Sequence, residues 1–231
     1  MSDFDRFVSD YESIHAENIR KSGFDPSYFD ESKVREICNY LRSEGTEKQE
    51  IRFLNFGCGI GKSEKYIRSY FPKSVIFSVD VSERSIALAR ERNSEFRNMT
   101  FTAFDGFTIP FDGTFDVIFA ANVFHHIPFE MHLPLLRNLH EKLHERGVLF
   151  IFEHNPLNPL TVRTVRDCAF DRDARLLNPK YANAALSASG FKQRRIHFTI
   201  FFPKFLSFLI PFEKYLRRIP LGAQYYGIAK K

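Results

Sequence analysis

The sequence has no tryptophan and only three cysteines, and these shortages narrow the classes of protein it can encode. Cys38, Cys58 and Cys168 stand far apart, with no C-x-x-C pair and no Cys/His spacing of a zinc site. This usage indicates a reducing compartment and argues against a disulfide framework or a structural metal. The polar N-terminus has no signal-peptide core, and no apolar run reaches the roughly 18 residues of a membrane span. We therefore expect a cytoplasmic protein that binds no metal.

The two ends of the chain carry net charges of opposite sign. The net charge is +5, but residues 1–50 sum to −5, residues 51–160 to 0 and residues 161–231 to +10. A basic C-terminal third can face phosphate, an anionic bilayer or nucleic acid, or can simply be solvated. The distribution alone leaves these alternatives open.

The 231 residues, 44% of them apolar, suffice for one α/β domain with a sizeable core. After two helices, near residues 1–25 and 32–41, apolar segments of strand length alternate with segments of helical period. The predicted strands are 51–56, 74–80, 99–104, 114–121, 147–153, 195–202 and 223–230, and the predicted helices between them are 62–70, 82–93, 133–145 and 179–189. This alternation predicts a doubly wound, Rossmann-like sheet covered on both faces.

The first predicted strand runs into a glycine-rich loop, LNFGCGIGKSE, from Leu54 to Glu64. Glycine tolerates positive φ and lets a ligand approach the backbone closely. The spacing fails the dinucleotide pattern G-x-G-x-x-G, because Lys62 occupies the last glycine position. It also fails the P-loop pattern, whose first glycine is replaced by Phe56. The remaining pattern, G-x-G-x-G, fits a ligand without phosphate or an αβ turn without any ligand.

Carboxylates follow the next two predicted strands. Asp80 ends the second strand, where a carboxylate can accept hydrogen bonds from both hydroxyls of a ribose, or else cap the helix next to Ser82. Asp105-Gly106 follows the third strand, where a carboxylate can accept from the exocyclic amine of a base, or form a simple turn. The ordered set of glycine loop, Asp and Asp-Gly is more specific than any one member.

Residues 51–154 resemble the class I S-adenosylmethionine (SAM)-dependent methyltransferases. LNFGCGIG resembles their first motif, SVDVSERSIALAR the second, FDGFTIPF the third, TFDVIFAANVFHHI the fourth and GVLFIFEH the segment after it. The resemblance implies a seven-stranded sheet whose last strand is antiparallel, with a helical lid over residues 1–48. The methyltransferase domain would then cover residues 49–231, with insertions at about 155–178 and 203–221.

The same resemblance implies a SAM site with S-adenosylhomocysteine (SAH) as product. It assigns the ribose to Asp80, the adenine amine to Asp105 and the sulfonium side to Ala121 and Asn122. The cofactor-binding residues expected on this basis are Asn55, Gly57, Cys58, Gly59, Gly61, Asp80, Val81, Asp105, Gly106, Ala121 and Asn122. One position departs from the family pattern: Asn55 replaces the usual acidic residue before the glycines, and an amide offers no carboxylate to the amino group of SAM.

Candidate catalytic residues follow the fourth and fifth predicted strands. A methyl sulfonium is already activated, so a base is needed only when the acceptor keeps its proton. His125, His126, Glu153 and His154 lie at the expected ligand edge. Two adjacent histidines cannot both point the same way, so we expect one of the first pair to pack in the core.

Aromatic side chains before the first strand are candidates for contact with the acceptor, namely Tyr11, His15, Tyr28 and Phe29. The later segment 203–221 is rich in both Phe and basic residues. It predicts a buried subdomain, a wall over an apolar acceptor, or contact with the inner face of a membrane.

The leading interpretation is O-methylation of a small molecule, sugar or lipid-linked intermediate; the extra segments resemble a bacterial branch that acts on cell-surface glycans or lipid-linked intermediates. Two alternatives remain, a nucleic-acid methyltransferase and a SAM-binding protein without turnover. The basic C-terminal third supports the first alternative, although no nucleic-acid module and no N-P-P-Y-type sequence is present. Asn55 is the only hint of the second.

Overall fold

A computed structural model of the chain describes residue 17 and residues 19–45, 50–168 and 174–231. A seven-stranded sheet has the order β3-β2-β1-β4-β5-β7-β6. The strands are β1 (Arg52–Phe56), β2 (Val75–Asp80), β3 (Met99–Ala103), β4 (Phe115–Ala121), β5 (Leu143–His154), β6 (Gln193–Thr199) and β7 (Gln224–Lys230). β7 pairs antiparallel with both β5 and β6, and the other pairs are parallel. The predicted sheet and its antiparallel last strand are confirmed.

Seven helices flank this sheet in the described part of the chain. They are α1 (Pro26–Ser43), α2 (Glu64–Tyr70), α3 (Glu83–Arg92), α4 (Phe129–Lys142), α5 (Pro159–Arg166), α6 (Pro179–Ala188) and α7 (Glu213–Leu216). Short 3-10 helices occupy Arg20–Ser22, Phe124–His126 and Lys204–Phe212. None of the helices in the described ranges is long and apolar enough to cross a membrane.

Alternation along the central strands builds one hydrophobic core on each face of the sheet. Leu54, Ile118 and Leu149 belong to the cluster that packs against α4 and α6. Their neighbours Phe53 and Phe150 belong to the opposite cluster, which includes residues of α1 and α2. The sheet is therefore the middle of three layers, and neither face of its central strands is left for a ligand.

Local capping explains most helix boundaries. The side chain of Ser82 accepts a hydrogen bond from the backbone N–H of Ser85, so Ser82 itself caps α3. The α1 helix begins earlier than the predicted residue 32, because Asp25 caps it and Pro26 occupies its first turn. The α4 helix also begins earlier than the predicted residue 133, despite Pro134 within it. Buried His132 anchors its first turns by donating from Nε2 to the carbonyls of Phe124 and Ile127, both at 2.9 Å.

The oppositely charged ends of the chain meet across the sheet edge formed by β6 and β7. Arg217 pairs with Glu36 at 2.6 Å, while Lys230 and Arg195 pair with Glu44 at 2.5 and 3.7 Å. Part of the positive charge of residues 161–231 is thus neutralised by acidic residues of the first fifty.

Candidate active site

A large cavity opens at the carboxyl ends of the parallel strands, where the strand-to-helix loops gather. Its volume is about 1320 Å³. This exceeds the roughly 300–1,000 Å³ of a typical pocket for one small ligand. The cavity therefore has room for two molecules side by side.

The glycine loop forms one wall, and its glycines have different surroundings. Gly57 and Gly59 have φ of 75° and 53°, in the region that L-residues rarely adopt. A Cβ on Gly57 would lie 2.4 Å from Cγ2 of Val123, whereas a Cβ on Gly59 would meet nothing within 4 Å. Gly57 therefore lets the Val123 side chain pack against the backbone of the loop, and Gly59 leaves the cavity floor bare. Gly61 does not line the cavity but packs against Ala89 of α3.

Asp80 holds the loop and faces the cavity at the same time. Its Oδ2 accepts from the backbone N–H of Gly59 at 2.8 Å, and its Oδ1 from that of Ser82 at 2.9 Å. A carboxylate oxygen has two acceptor sites, so these bonds are compatible with hydrogen bonds to a ligand. Val81, whose side chain is largely exposed, lies next to it in the cavity wall.

Asp105 and Gly106 line the cavity after β3. Oδ1 of Asp105 accepts from the backbone N–H groups of Phe107 and Thr108 at 2.8 and 2.6 Å. These backbone hydrogen bonds lower the pKa of the Asp105 carboxyl below its ordinary value. The carboxylate is therefore ionised at neutral pH and held at the cavity rim.

Asn55 lines the cavity too, but its amide is engaged with a buried acid. Its Nδ2 donates to Oε1 of Glu64 at 2.8 Å, and the same oxygen accepts from Ser78 Oγ at 2.7 Å. Burial raises the pKa of the Glu64 carboxyl, while the two hydrogen bonds oppose that shift. The carboxyl group that the family pattern expects at position 55 thus lies behind the amide, on α2.

The end of β4 places a strained amide in the cavity. Asn122 has φ of 58°, and its backbone N–H donates to the carbonyl of Phe152 at 2.8 Å. Its buried Oδ1 has no hydrogen-bond partner within the protein. Ala121 lines the cavity beside it. A strained, unsatisfied polar group of this kind is typical of a ligand-contacting position.

The candidate catalytic residues separate into two pairs. His125 and Glu153 are buried, and the Glu153 carboxylate accepts from Nδ1 of His125 at 2.5 Å and from the backbone N–H of Phe124 at 2.9 Å. His126 and His154 line the cavity instead. Their rings lie 4.1 and 5.4 Å from that of His125, measured between centroids. The expectation that one of the adjacent histidines packs inside is confirmed, and the packed one is His125.

Of the expected acceptor-contacting residues, Phe29 lines the cavity and Tyr28 does not. The Tyr28 ring stacks on Phe24 with centroids 3.9 Å apart, and it is Phe24 that reaches the cavity. Tyr11 and His15 lie outside the described residues. The remaining acceptor side is formed by α5 and by residues 200–205, and it is mainly apolar.

Several polar residues of the cavity wall were not singled out from the sequence, among them Gln224, Asp30 and Lys33. Gln224, only 6% exposed, has a buried Oε1 without a partner within the protein. It begins β7, and because that strand is antiparallel, its first residue lies at the ligand edge opposite His154. Asp30 and Lys33 of α1 line the cavity near the glycine loop. The sequence signal for this pair was their spacing of three residues near the start of a helix, which places an acid and a base on the same helix face.

The segment 204–216 is not the buried subdomain that was one interpretation of its phenylalanines. None of its residues is buried. Phe205 and Phe208 are 79% and 69% exposed, and Phe205 also lines the cavity. An exposed apolar patch at a cavity mouth is typical of an interaction surface.

Comparison with known proteins finds a matching domain model and a distant relative. Residues 54–149 match the family model described as a methyltransferase domain. A malonyl-[acyl-carrier protein] O-methyltransferase of Bacillus cereus is 31% identical over 126 residues, which are 54% of this chain and 46% of that protein. The chain thus matches slightly less than half the length of that relative.

Two solved structures share the fold. A SAM-dependent methyltransferase from Archaeoglobus fulgidus has a TM-score of 0.61 at 18% identity, over 88% of this chain and 98% of that one. Phosphoethanolamine N-methyltransferase 2 of Haemonchus contortus, solved with SAM, has a TM-score of 0.68 at 16% identity, over 100% of this chain and 60% of that one.

The cavity fits SAM on structural grounds of its own. Because Gly59 has no side chain, a ligand can approach the backbone there. Asp80 and Asp105 offer acceptors for hydroxyl and amine groups. SAM has such groups and, unlike the dinucleotides, has no phosphate. The family model over residues 54–149, the fold and the donor set thus agree with a class I SAM-dependent methyltransferase domain in this part of the chain.

Proposed function

We propose that this protein transfers a methyl group from SAM to a hydroxyl group of a small-molecule acceptor. One observation carries the proposal: a single cavity joins the glycine loop and its carboxylates to two histidines and an apolar second wall. A bound sulfonium supplies a methyl group that is already activated. The protein then has to align the acceptor oxygen, exclude water and take up one proton.

Within this proposal, the cofactor-binding residues that line the cavity contact the parts of SAM that lie nearest to them. Gly57, Cys58 and Gly59 provide backbone for close approach, with Gly61 setting the helix behind them. Asp80 accepts from the ribose hydroxyls, and Asp105 with Gly106 from the adenine amine, with Val81 against the adenine ring. Ala121 and Asn122 line the methyl side, where the unpartnered Oδ1 of Asn122 faces positive charge.

The proton of the acceptor hydroxyl goes to an imidazole nitrogen of His126 or His154, since these two rings line the cavity. Histidine is the side chain that most often acts as a general base in proteins. Glu153 holds the ring of His125 behind them and fixes its orientation. His125 is thereby a positioning residue that packs against His126.

Oxygen is favoured over the base nitrogens of nucleic acid. The relative from Bacillus cereus is named as an O-methyltransferase. The alternative rests on the positive charge of residues 161–231, and three of those cations already pair with Glu36 and Glu44. Less charge is therefore left for a polyanion than the sequence alone suggests.

We further propose that the acceptor is amphiphilic and reaches the cavity from an anionic membrane surface. Exposed Phe208, Phe212 and Tyr215 lie on the same segment as exposed Lys204 and Lys214. Aromatic side chains and flanking lysines together suit the interface of an anionic bilayer. Phe205 connects this surface to the cavity, so a lipid-linked acceptor could enter without leaving the interface.

Sedimentation with vesicles tests the membrane contact. The protein should bind phosphatidylglycerol-containing vesicles more than pure phosphatidylcholine vesicles, and Phe208→Ser combined with Lys214→Glu should reduce binding. Lys73→Glu, on an exposed loop before β2, is the control for a change of charge. Equal binding of all three proteins would reject membrane contact through this segment. Binding by none of them would reject membrane contact altogether and leave a freely diffusing acceptor.

Transfer of a labelled methyl group tests the activity itself. The protein is incubated with methyl-labelled SAM and a lipid extract, and label is expected in an organic-soluble product with a base-stable ether linkage. Label in polynucleotide would favour the nucleic-acid alternative. Tight binding of SAH with no label in any lipid, sugar or polynucleotide fraction would instead indicate a SAM-binding protein without turnover.

A further inference from the structure

The amino-acid end of SAM lacks its usual partner in this chain. SAM carries an α-ammonium and an α-carboxylate, and a buried ammonium needs an acceptor of opposite charge. Asn55, at the end of β1, presents an uncharged amide whose Nδ2 is engaged by Glu64. Glu64 itself is fully buried and does not line the cavity. A carboxylate for the α-ammonium has to come from another element.

The α1 helix supplies one, together with a cation. Asp30 and Lys33 are one helical turn apart and both line the cavity that contains Asn55 and Gly57. Lys33 is 5% exposed, and its Nζ donates to the carbonyl of Phe29 at 3.1 Å. An ammonium has three donors, so this bond leaves donors for a ligand.

The electrostatics of α1 suit a ligand that carries both a positive and a negative charge. Burial raises the pKa of the Asp30 carboxyl, and the positive charges of Lys33, Lys62 and Lys65 oppose that shift. Burial also lowers the pKa of the Lys33 ammonium, with Asp30 opposing it. Burial thus disfavours the charge on both groups, and a ligand that carries both charges is complementary to them.

We propose that Asp30 and Lys33 bind the amino-acid end of SAM, taking the place of the acidic residue that Asn55 replaces. The Asp30 carboxylate accepts from the α-ammonium, and Lys33 Nζ donates to the α-carboxylate. Residues three apart on a helix have Cβ atoms about 5–6 Å apart, a span that an α-amino acid can bridge. The inference rests on the proposed function, because it concerns the same cofactor.

Two nucleoside ligands test the inference by binding alone. SAH has the amino-acid end, and 5′-methylthioadenosine lacks it while keeping the adenine and ribose. In calorimetric titrations, Asp30→Asn and Lys33→Met should each weaken SAH binding by about tenfold. Both variants should bind methylthioadenosine like the unaltered protein, which also shows that the cavity is folded. Glu31→Gln, the neighbouring acid outside the cavity, should change neither affinity.

Three results separate the possible failures. Unchanged SAH affinity in both variants would overturn the assignment of Asp30 and Lys33. Equal losses for SAH and methylthioadenosine would also overturn it, because the substitutions would then act on the cavity as a whole. Failure of the unaltered protein to bind either nucleoside would reject the proposed function, on which the assignment depends.

Discussion

The two halves of the cavity differ in how they are built. The half beneath β1, β2 and β3 consists of tight backbone turns and carboxylates, with Asp80 bonded to Gly59 and Asp105 to its own loop. The half beyond β5 and β7 consists of α5 and residues 200–205, with mostly apolar side chains and a broad exposed rim. One half suits a ligand of fixed shape, and the other a larger, apolar one.

This difference predicts that substitutions in the two halves have separable effects. Changes in the carboxylate half should alter the affinity for SAH, whereas changes in the histidines and the apolar half should alter turnover. A substitution that changes SAH affinity and turnover equally would contradict this division between the two halves.

The largest effect is expected at the histidines between the two halves. His154→Ala or His126→Ala should lower turnover by about 100-fold, because general-base catalysis contributes at least that much. SAH affinity should stay within about twofold. Turnover is measured with the acceptor that the labelling assay identifies, and exposed His144→Ala serves as control. Full activity of both single variants would exclude base catalysis by this pair.

A structural test of the carboxylate half compares two glycines with positive φ. Gly57→Ala should lower the free energy of unfolding by about 2–4 kcal/mol, from backbone strain and overlap with Val123. Gly45→Ala has the same strain with nothing within 4 Å and should lose about 1–2 kcal/mol. Denaturant unfolding measures both. Equal losses would mean that the contact with Val123 is not tight.

Asp105→Ala sharpens the comparison within the carboxylate half. It should weaken both SAH and methylthioadenosine by about tenfold, because both ligands carry the adenine amine. This contrasts with Asp30→Asn, which should affect SAH alone. Asp112→Ala, at an exposed turn outside the cavity, is the matched control in the same titrations. An unchanged affinity for both nucleosides would remove Asp105 from the adenine site.

The smallest expected effect is on the pH dependence of folding stability, through His197 in the edge strand β6. Burial, with Arg217, Arg195 and Arg218 nearby, lowers the pKa of His197 to about 4. In the unfolded chain His197 takes up a proton near pH 6.5, so the folded state loses stability as pH falls from about 6.5 to 4. His197→Gln should flatten this part of the profile in denaturant unfolding at pH 7 and pH 5. A profile identical to that of the unaltered protein would contradict the assignment.

The carboxylate half could be predicted from the sequence because its residues are contiguous with their strands. Gly57, Asp80 and Asp105 each lie at or just past a strand end, and parallel strands bring such positions to one edge. Their chemistry as a set pointed to a ligand without phosphate. The burial of one of the two adjacent histidines followed from the fact that adjacent side chains diverge, but which of them is buried did not.

The acceptor half could not be predicted in the same way, because its residues come from distant segments. The α5 helix lies within the expected insertion at about 155–178, where no helix was predicted from the sequence. Asn158 followed by Pro159 is nevertheless a helix-start signal, and the Asn158 side chain accepts from the backbone N–H groups of Leu160 and Thr161. The exposure of Phe208 had no sequence signal, since most phenylalanines are buried. Gln224 is the exception, because the predicted last strand, 223–230, was expected to be antiparallel, which places its first residues at the ligand edge.

Titration of the protein and of Asp80→Ala with SAH tests the central claim most directly. The account predicts saturable binding with one site per chain, and a loss of about 100-fold in the variant, since two hydrogen bonds to a charged acceptor disappear. Absence of binding by the folded, unaltered protein, or equal binding by both, would contradict the claim that this cavity is a SAM site.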